Sequence, residues 1–202
     1  MTKYNLNHFI KVSLTVYIFS MFIFSIWSYL QYLDLANLNP NREWSGSLCY
    51  LPHGSRVLML CFFRYYSLPA LYLVEISGPL LIYDEGFVDG WSFASLGSLA
   101  SVIISIELVR WSNIAPGKFS LFRPINFKNY KYLFLVIVIS ACLNGLFANL
   151  IISLISNSIM VNVITVFRFM VGDILGACAV VLALWVIFTT LVDNRLVISP
   201  DE

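Results

Sequence analysis

The run VITVFRFMVGDILGACAVVLALWVIFTTLV, residues 163–192, decides the fold. It is longer than the roughly 20 apolar residues that carry a helix across a bilayer, so it predicts a membrane-spanning helix that tilts or begins in the interface. Only Arg168 and Asp173 bring charge into it. A charged side chain at bilayer depth costs at least about 2.5 kcal/mol on the mildest insertion scales, so both residues call for a partner or a purpose. They stand five apart, about 140° around a regular helix, and should not pair with each other. Gly172 and Gly176 share one face, continued by Ala179 and Ala183, and that face predicts close packing against a neighbour.

The remainder of the chain has the same character. Of 202 residues, 59% are hydrophobic and 11% charged, and the mean hydropathy is +0.83. Soluble domains carry roughly 25% charged residues, so most of this apolar surface has to be solvated by lipid. The expected fold is all-α: one integral membrane domain over residues 1–202, built as a polytopic bundle of about six helices. Their approximate bounds are Val12–Leu33, Ser47–Phe63, Ser67–Tyr83, Trp91–Trp111, Tyr132–Ile155 and Val163–Val192, with a turn at Arg64-Tyr65-Tyr66. The first run is too long for the core of a cleaved signal and is expected to be retained.

Charge sets the expected orientation. Lys3, Lys11, Arg64, Arg110, Lys118, Arg123, Lys128, Lys131 and Arg195 fall on one side of this layout, and Arg42 alone falls on the other, among Asp34, Glu43, Asp84, Glu85 and Asp89. By the positive-inside rule both termini are cytoplasmic, in a bacterial inner membrane. Trp44, Trp91, Trp111, Tyr130 and Tyr132 are expected as interfacial anchors. The basic, aromatic loop 112–131 suits lipid headgroups first and a cytoplasmic protein partner second. A net charge of +1 without a basic tail gives no reason to expect nucleic acid. Cys49, Cys61, Cys142 and Cys178 lack C-x-x-C spacing and read as small buried hydrophobes.

Five ionisable residues inside apolar runs are the candidate site: His53, Arg56, Glu75, Arg168 and Asp173. His53 and Arg56 are three apart and share a helix face, with Pro52 near the helix start and Gly54 permitting close approach. Pro79 has no N–H, so it leaves the Glu75 carbonyl without its helical partner and invites a kink. Asp173 is expected to pair with Arg56 or His53, and Arg168 with Glu75. All five fall in the outer half of the layout, which suggests a pocket opening outward for a small polar ligand or ion. The competing expectation is that Glu75 is neutralised by an arginine and serves assembly only. Glu107 and Arg110 read as a local pair, and Asn144 and Asn149 as interhelical hydrogen-bonders.

Soluble-enzyme templates are absent: no G-x-S-x-G, H-E-x-x-H, P-loop or dinucleotide fingerprint occurs. Two histidines, His8 and His53, do not make a His-rich metal centre, no serine sits in a recognisable nucleophile motif, and the sequence specifies no cofactor. The expectation is a non-enzymatic protein.

Two motifs resemble those of MASE1 membrane sensor domains. The run Leu48-Cys49-Tyr50-Leu51-Pro52-His53-Gly54, continuing through Arg56 to Leu60 and then to Arg64 and Pro69, is similar to their W-x-P-x-G region. Gly172-Asp173-x-x-Gly176 resembles their G-D-x-x-G motif. The resemblance covers about residues 47–192 and implies a sensory module with Pro52, Gly54, Gly172, Asp173 and Gly176 as framework. Such modules are usually joined to a histidine kinase, diguanylate cyclase or phosphodiesterase. This chain departs from the pattern at Tyr50, where tryptophan is common, at Phe169-Met170 before Gly-Asp, and in having no output domain after Val192. The expected function is therefore a membrane sensory or ligand-binding module that signals through a separate partner. The alternatives are a substrate-binding subunit of a small-molecule transporter and a structural subunit of a larger complex.

Overall fold

The computed structural model describes residues 6–33, 35, 46–82, 90–112, 127–156 and 161–194. Every regular element among them is helical: α1 Leu6–Tyr32, α2 Leu51–Phe63, a 3-10 turn Arg64–Ser67, α3 Leu68–Ile82, α4 Trp91–Trp111, α5 Phe127–Ile155 and α6 Val163–Asp193. Five stretches are long and apolar enough to cross a membrane: Leu6–Tyr32, Leu51–Leu80, Trp91–Trp111, Lys131–Ile155 and Val163–Leu191. The protein is a helical, multi-pass membrane protein. The Trp44 anchor, most of loop 112–131 and the acidic loop residues lie outside the described residues.

The second of those stretches is not one rod. Arg56 and Glu75 are 19 residues apart, about 28 Å along a straight helix, yet Arg56 Nε lies 2.6 Å from Glu75 Oε1. The chain folds back at the 3-10 turn, where Arg64 takes a positive φ of 53°, a conformation that L side chains rarely adopt. The first arm of this hairpin is short: the 13 residues of α2 span about 20 Å, against a hydrocarbon thickness of about 30 Å. The expected helix from Ser47 is therefore corrected. Ser47–Tyr50 precede the helix as irregular backbone, and Pro52 sits in the first turn of α2, where a missing N–H costs nothing.

Cross-element contacts give each helix its direction. His8 of α1 stacks edge-on against Tyr66 of the turn. Trp27, near the other end of α1, meets Tyr50 at the start of α2. Tyr17 of α1 bonds Ser77 of α3, so α1 runs with α3 and against α2. Tyr65 in the turn reaches Glu107, late in α4. Gly90, before α4, meets Ile155 at the end of α5, and Gly145 of α5 meets Met170 of α6. Helices α1 to α5 therefore alternate in direction, and α6, which meets Ser47 and Tyr50 at Gly172 and Gly176 and then Gly54 at Ala177, runs with α2 and so continues the alternation.

The helices enclose a small shared core and leave broad apolar faces outside. Val57, Leu71, Val102, Val136 and Ala177 are buried, whereas Leu14, Ile18 and Phe22 of α1 and Leu182, Val186 and Ile187 of α6 are exposed. Apolar faces this large are what lipid would solvate. Of the expected interfacial anchors, Tyr132 is buried in the bundle and Trp111 is exposed.

Candidate functional site

α6 is shaped to accept the irregular lead-in to α2. A Cβ added at Gly172 would collide with the Ser47 carbonyl, and one at Gly176 with the Tyr50 backbone. The Tyr50 N–H donates to the Gly172 carbonyl at 2.9 Å. Irregular backbone at membrane depth is tolerated only where protein satisfies it, and the two glycines make room for that. One turn further on, Gly54 of α2 faces Ala177 and Val180 of α6, its hypothetical Cβ only 2.9 Å from the Ala177 Cα. The face of α6 that receives α2 is therefore Gly172, Gly176, Ala177 and Val180; Ala179 and Ala183, expected to continue it, are exposed instead.

That docking places His53 and Arg56 inside the bundle beside Asp173. All three are buried, as is Glu75. Arg56 and Glu75 form a two-point ion pair: Nε donates to Oε1 at 2.6 Å and Nη2 to Oε2 at 3.0 Å. Nη2 also donates to the Tyr50 hydroxyl at 3.1 Å, and the guanidinium carbon lies 5.2 Å from the Tyr50 ring centroid. Tyr50 is the position noted above as a departure from the motif it resembles, where tryptophan is common. Its hydroxyl accepts a bond that an indole, which only donates, could not.

The second half of the centre is built on α5 and α6. Asn144 Nδ2 donates to Asp173 Oδ2 at 2.6 Å. His53 Nδ1 stands 3.7 Å from the same oxygen. The opposite ring nitrogen, His53 Nε2, is 3.0 Å from Ser140 Oγ, and that hydroxyl also lies 3.1 Å from the Ile137 carbonyl that it donates to. Tyr50, His53, Arg56, Glu75, Ser140, Asn144 and Asp173 therefore form one polar cluster drawn from α2 with its lead-in, α3, α5 and α6.

One expected pairing needs correction. Asp173 does lie beside His53, but Glu75 is neutralised by Arg56 and not by Arg168. The hairpin at Arg64–Ser67 brings α2 and α3 together, a contact that linear spacing does not reveal. Arg168 approaches the Gly46 carbonyl at 3.5 Å and lies near the lead-in to α2. No Arg168–Asp173 bond is formed, as the 140° separation required. The Glu75 carbonyl freed by Pro79 is not open to a cation either. Trp91 Nε1 donates to it at 2.8 Å, so this indole, expected only as an anchor, has a bonding partner in the bundle.

Asn144 makes an interhelical hydrogen bond of the kind expected of it, to Asp173, and Ser140, not among the expected site residues, joins the cluster through His53. They are four apart in α5 and so share a face, a polar pair inside an otherwise apolar run. The four cysteines are free thiols, each partly buried.

A polar cluster held within a multi-pass helical bundle defines this class of protein. Comparison of the chain with protein-family models, curated proteins and solved structures gives no match.

Proposed function

We propose that this chain is a non-enzymatic sensory or ligand-binding module of a bacterial inner membrane, which passes its state to a separate membrane or cytoplasmic partner. One observation carries the reading. Within the cluster, His53 Nδ1, Arg56 Nη1, Asn144 Oδ1 and Asp173 Oδ1 are buried without a hydrogen-bond partner. Buried polar atoms are nearly always bonded, so several unpaired ones in one place fit a centre that takes up something small and polar. A purely structural network would be expected to pair them all.

The MASE1-like reading rests on the two motifs quoted above and is supported by how they meet: the Pro52–Gly54 region docks on Gly172 and Gly176. Six crossings with both termini cytoplasmic suit the alternating helix directions. In that layout the irregular segment Ser47–Tyr50 supplies the length that α2 lacks. Lys11, Arg64, Arg110 and Lys131 are exposed, and they gather towards the end of the bundle marked by the contacts His8–Tyr66 and Tyr65–Glu107, which would face the cytoplasm.

The competing assembly reading draws on the Arg56–Glu75 pair, which neutralises itself. Native mass spectrometry of the full chain, purified in mild detergent, separates the possibilities. A co-purifying signalling enzyme or a retained small polar molecule is the expected result. A nucleotide-hydrolysing subunit would favour the transporter alternative. A chain that carries neither ligand nor partner would defeat the sensory reading.

A further inference from the structure

The polar cluster is one positive charge short of neutrality. Arg56 and Glu75 cancel, and Asp173 then contributes a carboxylate that is 0% exposed. Among the described residues, its surroundings supply no second cation. From α2 it faces His53, Arg56 and Tyr50; from α3, the Glu75 charge; from α5, Ser140 and Asn144, which do not titrate. Arg56 and Glu75 both act on Asp173 electrostatically, with opposite sign. Arg168, on the same helix, points away towards Gly46. Glu107 and Arg110 lie at the end of the bundle marked by Tyr65.

The hydrogen-bond inventory leads to the same place. Ser140 has one hydroxyl hydrogen. If it goes to the Ile137 carbonyl, His53 must donate through Nε2, and a neutral ring then turns a bare Nδ1 towards Asp173 Oδ2, acceptor against acceptor at 3.7 Å. If the serine instead donates to Nε2, Nδ1–H faces the carboxylate, and the cluster keeps its unbalanced negative charge. Adding one proton resolves both arrangements: the pair passes from net −1 to neutral, and the bare acceptor gains a donor. A metal ion is a poorer fit, because the unpartnered Asp173 Oδ1 and Asn144 Oδ1 fall well short of the six or so oxygens such an ion takes.

We propose that His53 and Asp173 together bind one exchangeable proton, with Asn144 and Ser140 positioning the pair. This rests on reading the cluster as a binding site, and names the proton as what it binds. No oxidant, metal or covalent step is involved. The proton adds to the carboxylate or to imidazole Nδ1 and leaves by the same atom.

Infrared difference spectroscopy of the full chain in lipid nanodiscs tests it, comparing pH values between about 5 and 8, where histidine-linked sites titrate. Aspartate labelled with carbon-13 in the native sequence identifies the carboxyl group without any substitution. The expected result is an aspartic-acid carbonyl or histidine-ring signal that accounts for one proton per chain and disappears at high pH. It is lost in Asp173→Asn and in His53→Gln. In Ser140→Ala proton uptake is retained and the ring signal shifts, because Nε2 loses its partner.

Absence of any pH-dependent aspartate or histidine signal overturns the proposal, as does its persistence in Asp173→Asn. A signal that follows sodium concentration at fixed pH also overturns it and makes the ligand a cation. The two readings fail separately. A silent pair in a chain that retains another bound molecule removes the proton and leaves the module. A titrating pair in a chain with no ligand or partner keeps the proton and removes the module.

Discussion

Glu75→Gln isolates what the buried ion pair contributes. The substitution preserves shape but removes the charge opposite Arg56, and both side chains are 2% exposed. The amide oxygen of glutamine can accept one of the two guanidinium bonds, at 2.6 or 3.0 Å, while its NH2 turns a donor towards a donor. Arg56 is then a buried cation with only the more distant Asp173 to balance it. Removing one member of a buried pair costs about 3–5 kcal/mol. At roughly 1.4 kcal/mol per tenfold, that is a hundredfold or greater loss in the folding equilibrium. The protein carries its own comparison: Arg110 and Glu107 stand 3.5 Å apart with side chains 65% and 32% exposed. Solvent screens that pair, so Arg110→Gln should cost only about 0–1 kcal/mol. Reversible unfolding in mixed micelles at increasing dodecyl sulfate, followed by tryptophan fluorescence, measures both variants. Replacing both partners, Arg56→Met with Glu75→Leu, should cost less than Glu75→Gln alone, since no charge is left stranded. A Glu75→Gln variant as mild as Arg110→Gln would refute the claim that the pair is desolvated.

The same assay reaches three other features. Gly176→Ala places a methyl group against the Tyr50 backbone, and should cost about 3 kcal/mol, the upper part of the overpacking range. Gly97→Ala meets only the terminal carbon of Ile151, which can move, and should cost clearly less; equal losses would argue against the docked lead-in. Trp91→Phe keeps an aromatic ring but strands the Glu75 carbonyl, for an expected loss of about 1–3 kcal/mol; full stability would show that the carbonyl has another donor. Charge reversal reads the pairing directly: Glu75→Arg should be rescued by Arg56→Glu and not by Arg168→Glu, with yield of monodisperse protein as the readout.

Much of the architecture could be read from residues. Trp91–Trp111 is bounded by the same residues in sequence and structure, and the final helix begins at Val163 in both. The turn after Phe63 was also legible, from Arg64-Tyr65-Tyr66. The lead-in to α2 was not. Ser47–Tyr50 is apolar enough to pass for helix, and its irregular backbone depends on space left by Gly172 and Gly176, more than a hundred residues later. Nor could spacing show that Trp91 answers Pro79. The missing hydrogen bond was visible at Glu75, but its replacement comes from a different helix.

The sequence by itself determined that this chain lives in a membrane, because apolar helices of bilayer length need no partner to be recognised: hydropathy and backbone satisfaction are local properties. It also determined that His53, Arg56, Glu75, Arg168 and Asp173 had to be accommodated, since each carries its desolvation cost wherever it is placed. Which of them meet was decided only by tertiary structure. The hairpin at Arg64–Ser67 gives Glu75 to Arg56, and the glycine face of α6 seats α2 so that His53 reaches Asp173 and Ser140. Arg168 is left at the lead-in near Gly46. Pairing depends on the distance between helices, and that is set by the small residues and turns through which they pack.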